Sequence, residues 1–260
     1  QTASSVSGIV PFHVRMNEKK ALFLCFAVGI SIVAVYTAFC TDMYRDVAGR
    51  YAPMARAFSE GNWQLGLDVR HSPLLPALGG SLAFFSGLEP YRALLIASGC
   101  LYVLTIFPLN HLLRRLCPNQ AIAVWGCLLY ILAPKIIRIS CSGLLESARN
   151  FMFVSSAALL LGFFEGRQLW KAALLGLALG GLCLSRSECV AYLPLFFGAM
   201  LLLHWHSTGF SRSTAAMKGI ILPLIVSACV LILALLPRLF QVWNECGIPA
   251  LDLKQVDFAK

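Results

Sequence analysis

From residue 21 to residue 40 the chain carries twenty consecutive residues without a charge, the length a helix needs to cross the ~30 Å hydrocarbon core of a bilayer. No water reaches that core, so each backbone N–H and C=O must be satisfied within protein, and a single isolated segment achieves this only as a helix. The stretch follows Arg15, Lys19 and Lys20 and lacks a small-residue cleavage site. It therefore reads as a retained anchor whose N-terminus lies in the cytoplasm. Apolar segments recur at 91–113, 121–133, 151–164, 170–185, 189–205 and 219–237. The expected fold is an all-α, polytopic transmembrane helix bundle of about seven crossings, forming one membrane domain over residues 1–260. A start at Gln1 without Met and a polar close at Lys260 leave room for a C-terminal continuation.

The formal charge of +9 would suggest nucleic acid in a soluble protein, but no basic run carries interleaved aromatics. Membrane topology explains the excess better, because short basic connections mark the cytoplasmic side. Arg114-Arg115, Arg167 with Lys171, and 206–218 fill that role here, and no nucleic-acid partner is expected. Of the ten cysteines, most lie singly inside apolar runs, where Cys packs as a small hydrophobe. Only Cys40, Cys141 and Cys246 fall near outer polar segments, which gives a disulfide weak support. Gly176, Gly180 and Gly181 read as close helix packing. His204 and His206 lie at the inner surface and are assigned no function.

The longest charged stretch is the first outer loop, 41–92, and two short juxtamembrane helices are expected within it. The first, 46–60, places Tyr51, Met54, Ala55 and Phe58 at helical spacing and stops at Gly61. The second, 73–86, is apolar but too short to span and is interrupted by Gly79-Gly80. Both are expected to lie at the periplasmic membrane surface. Ionisable residues concentrate around this loop: Asp42, Arg45, Asp46, Arg50, Asp68, Arg70 and His71. A carboxylate held just outside a bilayer suits a general base acting on a hydroxyl or amine. The plainer reading is that these charges anchor helix ends.

The run Arg45-Asp46, then Tyr51, Met54-Ala55-Arg56, Gly61-Asn62-Trp63 and His71-Ser72-Pro73-Leu74-Leu75-Pro76 resembles the first outer loop of the GT-C superfamily. That group of polytopic, lipid-linked sugar transferases includes protein O-mannosyltransferases and aminoarabinose transferases. Ser142-Gly143-Leu144-Leu145-Glu146 is similar to its second acidic motif, and Leu184-Ser185-Arg186-Ser187-Glu188 to its Leu-Thr-Arg-x-Glu element. One extra residue stands between Asp46 and Ala55, and His71 replaces a Lys found in some members.

The resemblance implies a glycosyltransferase of a bacterial inner membrane with its active site facing the periplasm. Its donor would be a polyprenyl-phosphate sugar, and its acceptor a lipid, glycan or protein. Asp46 would be the catalytic base, with Asp42 the alternative, and Glu146 would orient the acceptor or help hold a divalent metal. Arg186, with His71, would bind the donor phosphate, since a guanidinium offers phosphate a planar fork of donors. No Gly-rich nucleotide loop is visible, which suits a lipid-borne donor. Two alternatives stay open: a transporter or flippase of a lipid-linked intermediate, and a non-catalytic membrane subunit. Glu146 paired to Arg149 or Arg138, and Arg186 as a snorkelling anchor, are the corresponding structural readings.

Overall fold

A computed structural model describes residues 18–39, 44–117, 119–208, 214–247 and 249–251. Among them the chain is helical and without strands. α1 is Glu18–Phe39. A π-helical turn, Val47–Tyr51, leads into α2, Ala52–Ser59, followed by α3, Trp63–Gly66, and α4, Leu74–Ser86. Then come α5 (Pro90–Leu104), α6 (Ile106–Leu116), α7 (Gln120–Leu132), α8 (Pro134–Ser140) and α9 (Glu146–Gly166). α10 is Leu169–Ser185, α11 is Leu193–Ser207 after a 3-10 turn at Ser187–Tyr192, and α12 is Thr214–Cys246.

Five described helical runs are long and apolar enough to cross a membrane: Lys19–Phe39, Pro90–Leu116, Glu146–Gly166, Ser187–Ser207 and Gly219–Cys246. α7 and α8 make a sixth if the pair is taken as one span, bent by 60°. The bend follows from Pro134, which has no N–H to donate and drives Ala133 into extended backbone (φ −68°, ψ 111°). α10, counted as a crossing on sequence grounds, has 17 residues, about 26 Å at 1.5 Å each. Its interior run from Ala178 to Cys183 is wholly buried against neighbouring helices, so protein rather than lipid satisfies its length. The last span is longer than the sequence suggested. Pro237 does not stop it, and α12 runs on to Cys246, as membrane helices with packed neighbours tolerate proline.

Glycines set the closest helix approaches. A Cβ on Gly176 would lie 2.2 Å from the Ser227 carbonyl oxygen, and one on Gly180 2.7 Å from the Ala234 Cβ, so α10 lies directly against α12. Gly181 gives the same close approach to Met152 of α9. Gly29 meets Val103 and Ile131, and Gly99 meets Val33, which docks α1 antiparallel to α5. The expected first juxtamembrane helix is split between the π turn and α2. Its apolar face is covered by α4, whose Gly80 abuts Phe58 and the Ala55 carbonyl, while Gly79 of α4 abuts Leu94 of α5. Cys141 and Cys246 belong to different apolar clusters, and Cys40 lies outside the described residues.

Alternation of the long helices sorts the connections to two ends. The π turn, α8, Glu146 and Arg186 share one end, and the α6–α7 connection, Arg167 and Ser207 share the other. A membrane-impermeant maleimide should therefore label Gln64→Cys and Gln168→Cys from opposite sides of sealed vesicles. Gly176→Val should lower the melting temperature in detergent, with overpacking worth about 1–3 kcal/mol. Gly198→Val, where an added Cβ meets nothing within 4 Å, is expected to leave it unchanged or raised.

Candidate functional site

The site end is built on three segments that the bundle brings together. The first is the π turn. Val47 is fully buried and sits where a Cβ on Gly143 would approach it at 3.3 Å. Gly143 itself has φ +77°, a left-handed conformation that glycine adopts without penalty. This close fit pins the Asp46 turn to the loop before α9. Asp46 then accepts from Arg50 at 3.3 Å, both side chains being about half exposed, a pairing worth little on its own.

The second segment is the connection 141–145 and the start of α9. Ser98 of α5 donates to the Ser140 carbonyl and lies 2.8 Å from the Ser147 hydroxyl. Buried polar groups of this kind hold geometry because losing a partner costs the full desolvation penalty. Here they fix the first turn of α9, where Glu146 stands. An acidic residue in the first turn also meets the positive end of the helix dipole.

The third segment is the end of α10. Backbone at Arg186 turns extended (φ −155°, ψ 127°), and its guanidinium reaches back across the helix pair. Nη1 donates to Glu146 Oε1 at 2.9 Å and Nε pairs with Glu188 Oε2 at 3.2 Å. Glu146 therefore pairs with Arg186, 40 positions along the chain, where the sequence had offered Arg149 or Arg138. Arg186 is held between two carboxylates, so any further anion would have to share it with them. Glu188 is the more exposed of the two.

Tyr51 lies where these segments meet. Burial pushes its phenol pKa above the usual value, the charges of Asp46 and Glu146 add to the rise, and Arg186 and Arg50 oppose it. The hydroxyl consequently stays protonated, as a donor, through the physiological range. His71 packs edge-on against the Tyr51 ring, centroids 6.4 Å apart, and its Nδ1 is 3.3 Å from Asp68 Oδ2. Asp46, Glu146, Arg186 and His71 thus gather around one tyrosine. Asp42 lies outside the described residues.

Sequence reasoning missed two parts of this arrangement. Tyr51 reads as one residue of an apolar helical pattern, because nothing in its neighbours reveals that Glu146 and Arg186, from two distant segments, converge on it. The last apolar segment read from the sequence ends at Pro237, ahead of Arg238, yet Arg238 is buried in α12. It donates to the carbonyls of Leu67 (2.7 Å), Asp68 (3.0 Å), His71 (2.9 Å) and Leu251 (2.9 Å). Gln241, which accepts from Arg238 at 3.0 Å, also donates to the Leu67 carbonyl. Together they clamp the loop that carries Asp68 and His71. The available signal was the apolar pattern continuing past Pro237 through Leu239, Phe240, Val242 and Trp243.

Among the described residues, no three or more His, Cys, Asp and Glu gather as a metal site. Asp46 and Glu146 are each committed to an arginine. The described residues therefore do not form a ligand set for a divalent ion. No family model, curated protein or solved structure matches the chain.

Arg238→Lys keeps the charge but has no fork to span several carbonyls. It should lower the melting temperature by several degrees, and a larger drop is expected for Arg238→Met, which leaves the carbonyls unpaired. Arg138→Lys, on an exposed residue, serves as the control. Equal melting temperatures for the Arg238 and Arg138 variants would show that the clamp carries no stability.

Proposed function

We propose that the chain is a membrane glycosyltransferase that moves a sugar from a polyprenyl-phosphate donor to an acceptor hydroxyl or amine. The observation that carries this reading is the convergence of Asp46, Glu146, His71 and Arg186 around Tyr51 at one end of an apolar bundle. A lipid-borne donor places its phosphate at the membrane surface, where such a mouth is accessible. The resemblance of the surrounding motifs to GT-C enzymes supports the same chemistry.

In this reading Asp46 removes the acceptor proton as the acceptor heteroatom bonds to the anomeric carbon. The bond between that carbon and the phosphate oxygen breaks, with inversion, and the electron pair leaves on polyprenyl phosphate. Arg186 stabilises the charge that develops there by exchanging Glu188 for phosphate, while Glu146 keeps the guanidinium in place. His71 and the Tyr51 hydroxyl are further donors close by. Asp42 is the alternative base.

The short basic segments at the other end of the bundle, Lys19-Lys20, Arg114-Arg115 and Arg167 with Lys171, support a periplasmic location for the site. Cations in short connections mark the cytoplasmic face. The resemblance of the motifs to GT-C enzymes is what suggests a bacterial inner membrane as the setting.

The test is transfer from a radiolabelled polyprenyl-phosphate sugar in membranes bearing each variant. Asp46→Asn should reduce transfer by about 10²–10⁴-fold, the usual contribution of a general base, and Arg186→Gln should do so while raising KM for donor. Transfer lost with Asp42→Asn and retained with Asp46→Asn would move the base. Bidirectional lipid movement without sugar transfer would replace the enzyme with a flippase.

A further inference from the structure

A second chemically distinct feature lies far from the site, at the opposite end of the bundle. α5 and α6 part at Thr105, whose hydroxyl folds back to the Leu101 carbonyl at 2.7 Å. Pro108, three residues on, has no N–H to return to Leu104. Between α6 and α9 this leaves a cleft of about 460 Å³, floored by the start of α10, within the ~300–1,000 Å³ range of small-molecule sites. Phe107, Ala158 and Leu159 line its apolar length. Phe107 and Trp170 are about half exposed at its edge, so it opens sideways, toward lipid.

Polar groups cluster at one end of the cleft. Lys171 Nζ donates to the Gly162 carbonyl at 2.9 Å and lies 5.7 Å from the centre of the Trp170 ring. An ammonium has three N–H groups, so Lys171 keeps capacity for a further acceptor. Arg115 donates Nε–H to His111 Nε2 at 3.0 Å and pairs with Glu165. Lys171 is thus the cation that lines the cleft, with Arg115, paired to Glu165, standing behind the lining His111.

We infer that this cleft is a binding site for an anionic phospholipid, with one acyl chain between α6 and α9 and the phosphate at Lys171. The length fits. Its α9 wall runs from Phe151 to Gly162, eleven steps of 1.5 Å or about 16 Å, and its apolar lining suits a chain rather than a free phosphate. The charge complementarity selects an anionic over a zwitterionic headgroup. The inference is independent of the proposed transferase chemistry, because no residue is shared between the two sites.

The experiment uses the full chain in mixed micelles titrated with phospholipids brominated on the acyl chains. The Trp170 signal is taken as the fluorescence difference between the wild type and Trp170→Phe. Brominated phosphatidylglycerol should quench that signal at about fivefold lower concentration than brominated phosphatidylcholine, the preference expected of one added cation near a lipid phosphate. Lys171→Gln should abolish the preference. Ser155→Leu and Ala158→Leu, which fill the cleft, should each abolish saturable quenching by both lipids, and their melting temperatures show whether either variant folds. Equal quenching by the two lipids, a preference that survives Lys171→Gln, or saturable quenching in both cleft-filling variants would overturn the inference.

Discussion

The ion pair between Glu146 and Arg186 is the constraint on which the arrangement of the site depends. α9 and α10 form a hairpin. At one end the chain joins them through Arg167-Gln168, with Arg167 in a left-handed turn. At the other end no covalent link exists, and the Arg186 guanidinium closes the gap at 2.9 Å. Both side chains are partly shielded from solvent, so the pair is screened less than a surface bridge. Because α10 also lies hard against α12 through Gly176 and Gly180, holding Arg186 in place indexes the site end of α9 to the helix that carries Arg238.

From that point the geometry spreads in two directions. Arg238 ties the loop of His71 to α12, and Val47 ties the Asp46 turn to Gly143. Tyr51 feels both halves at once. Its acidity responds to Asp46 from one segment and to Glu146 and Arg186 from two others. A hydroxyl kept protonated among opposing charges is a dependable donor, which is the kind of group the proposed transfer would use at its leaving phosphate.

Much of the fold was legible in the sequence because lipid imposes a simple rule: long uncharged runs must be helices. The helical class, the anchor at α1 and the shortness of α4 follow from it. Helix ends did not follow as well. α12 passes through Pro237, as membrane helices tolerate, a continuation signalled only by the apolar Leu239, Phe240, Val242 and Trp243 beyond it. α10 ends after 17 residues with its Ala178 to Cys183 run buried, a tertiary effect with no local signature. The candidate site divides the same way. Asp46, Glu146, Arg186 and His71 stood out as charges bordering apolar segments, and the motif resemblance grouped them. Their pairing did not stand out. Glu146 finds its arginine across the hairpin rather than within three or four positions, and Arg238 looked like the start of a tail because a buried arginine makes sense only once the carbonyls it serves are in place.

Glu146 and Arg186 close the α9–α10 hairpin at the site end. The most direct measurement is a double-mutant cycle on unfolding stability in detergent, with Glu146→Gln, Arg186→Gln and the combined variant. Non-additivity of at least ~0.5 kcal/mol is expected of this closure, as for residues in contact, the second substitution costing less once the first is made. Additive losses would contradict it, showing that the two side chains do not meet and that the segments bearing Asp46, Glu146 and Arg186 are held by something else.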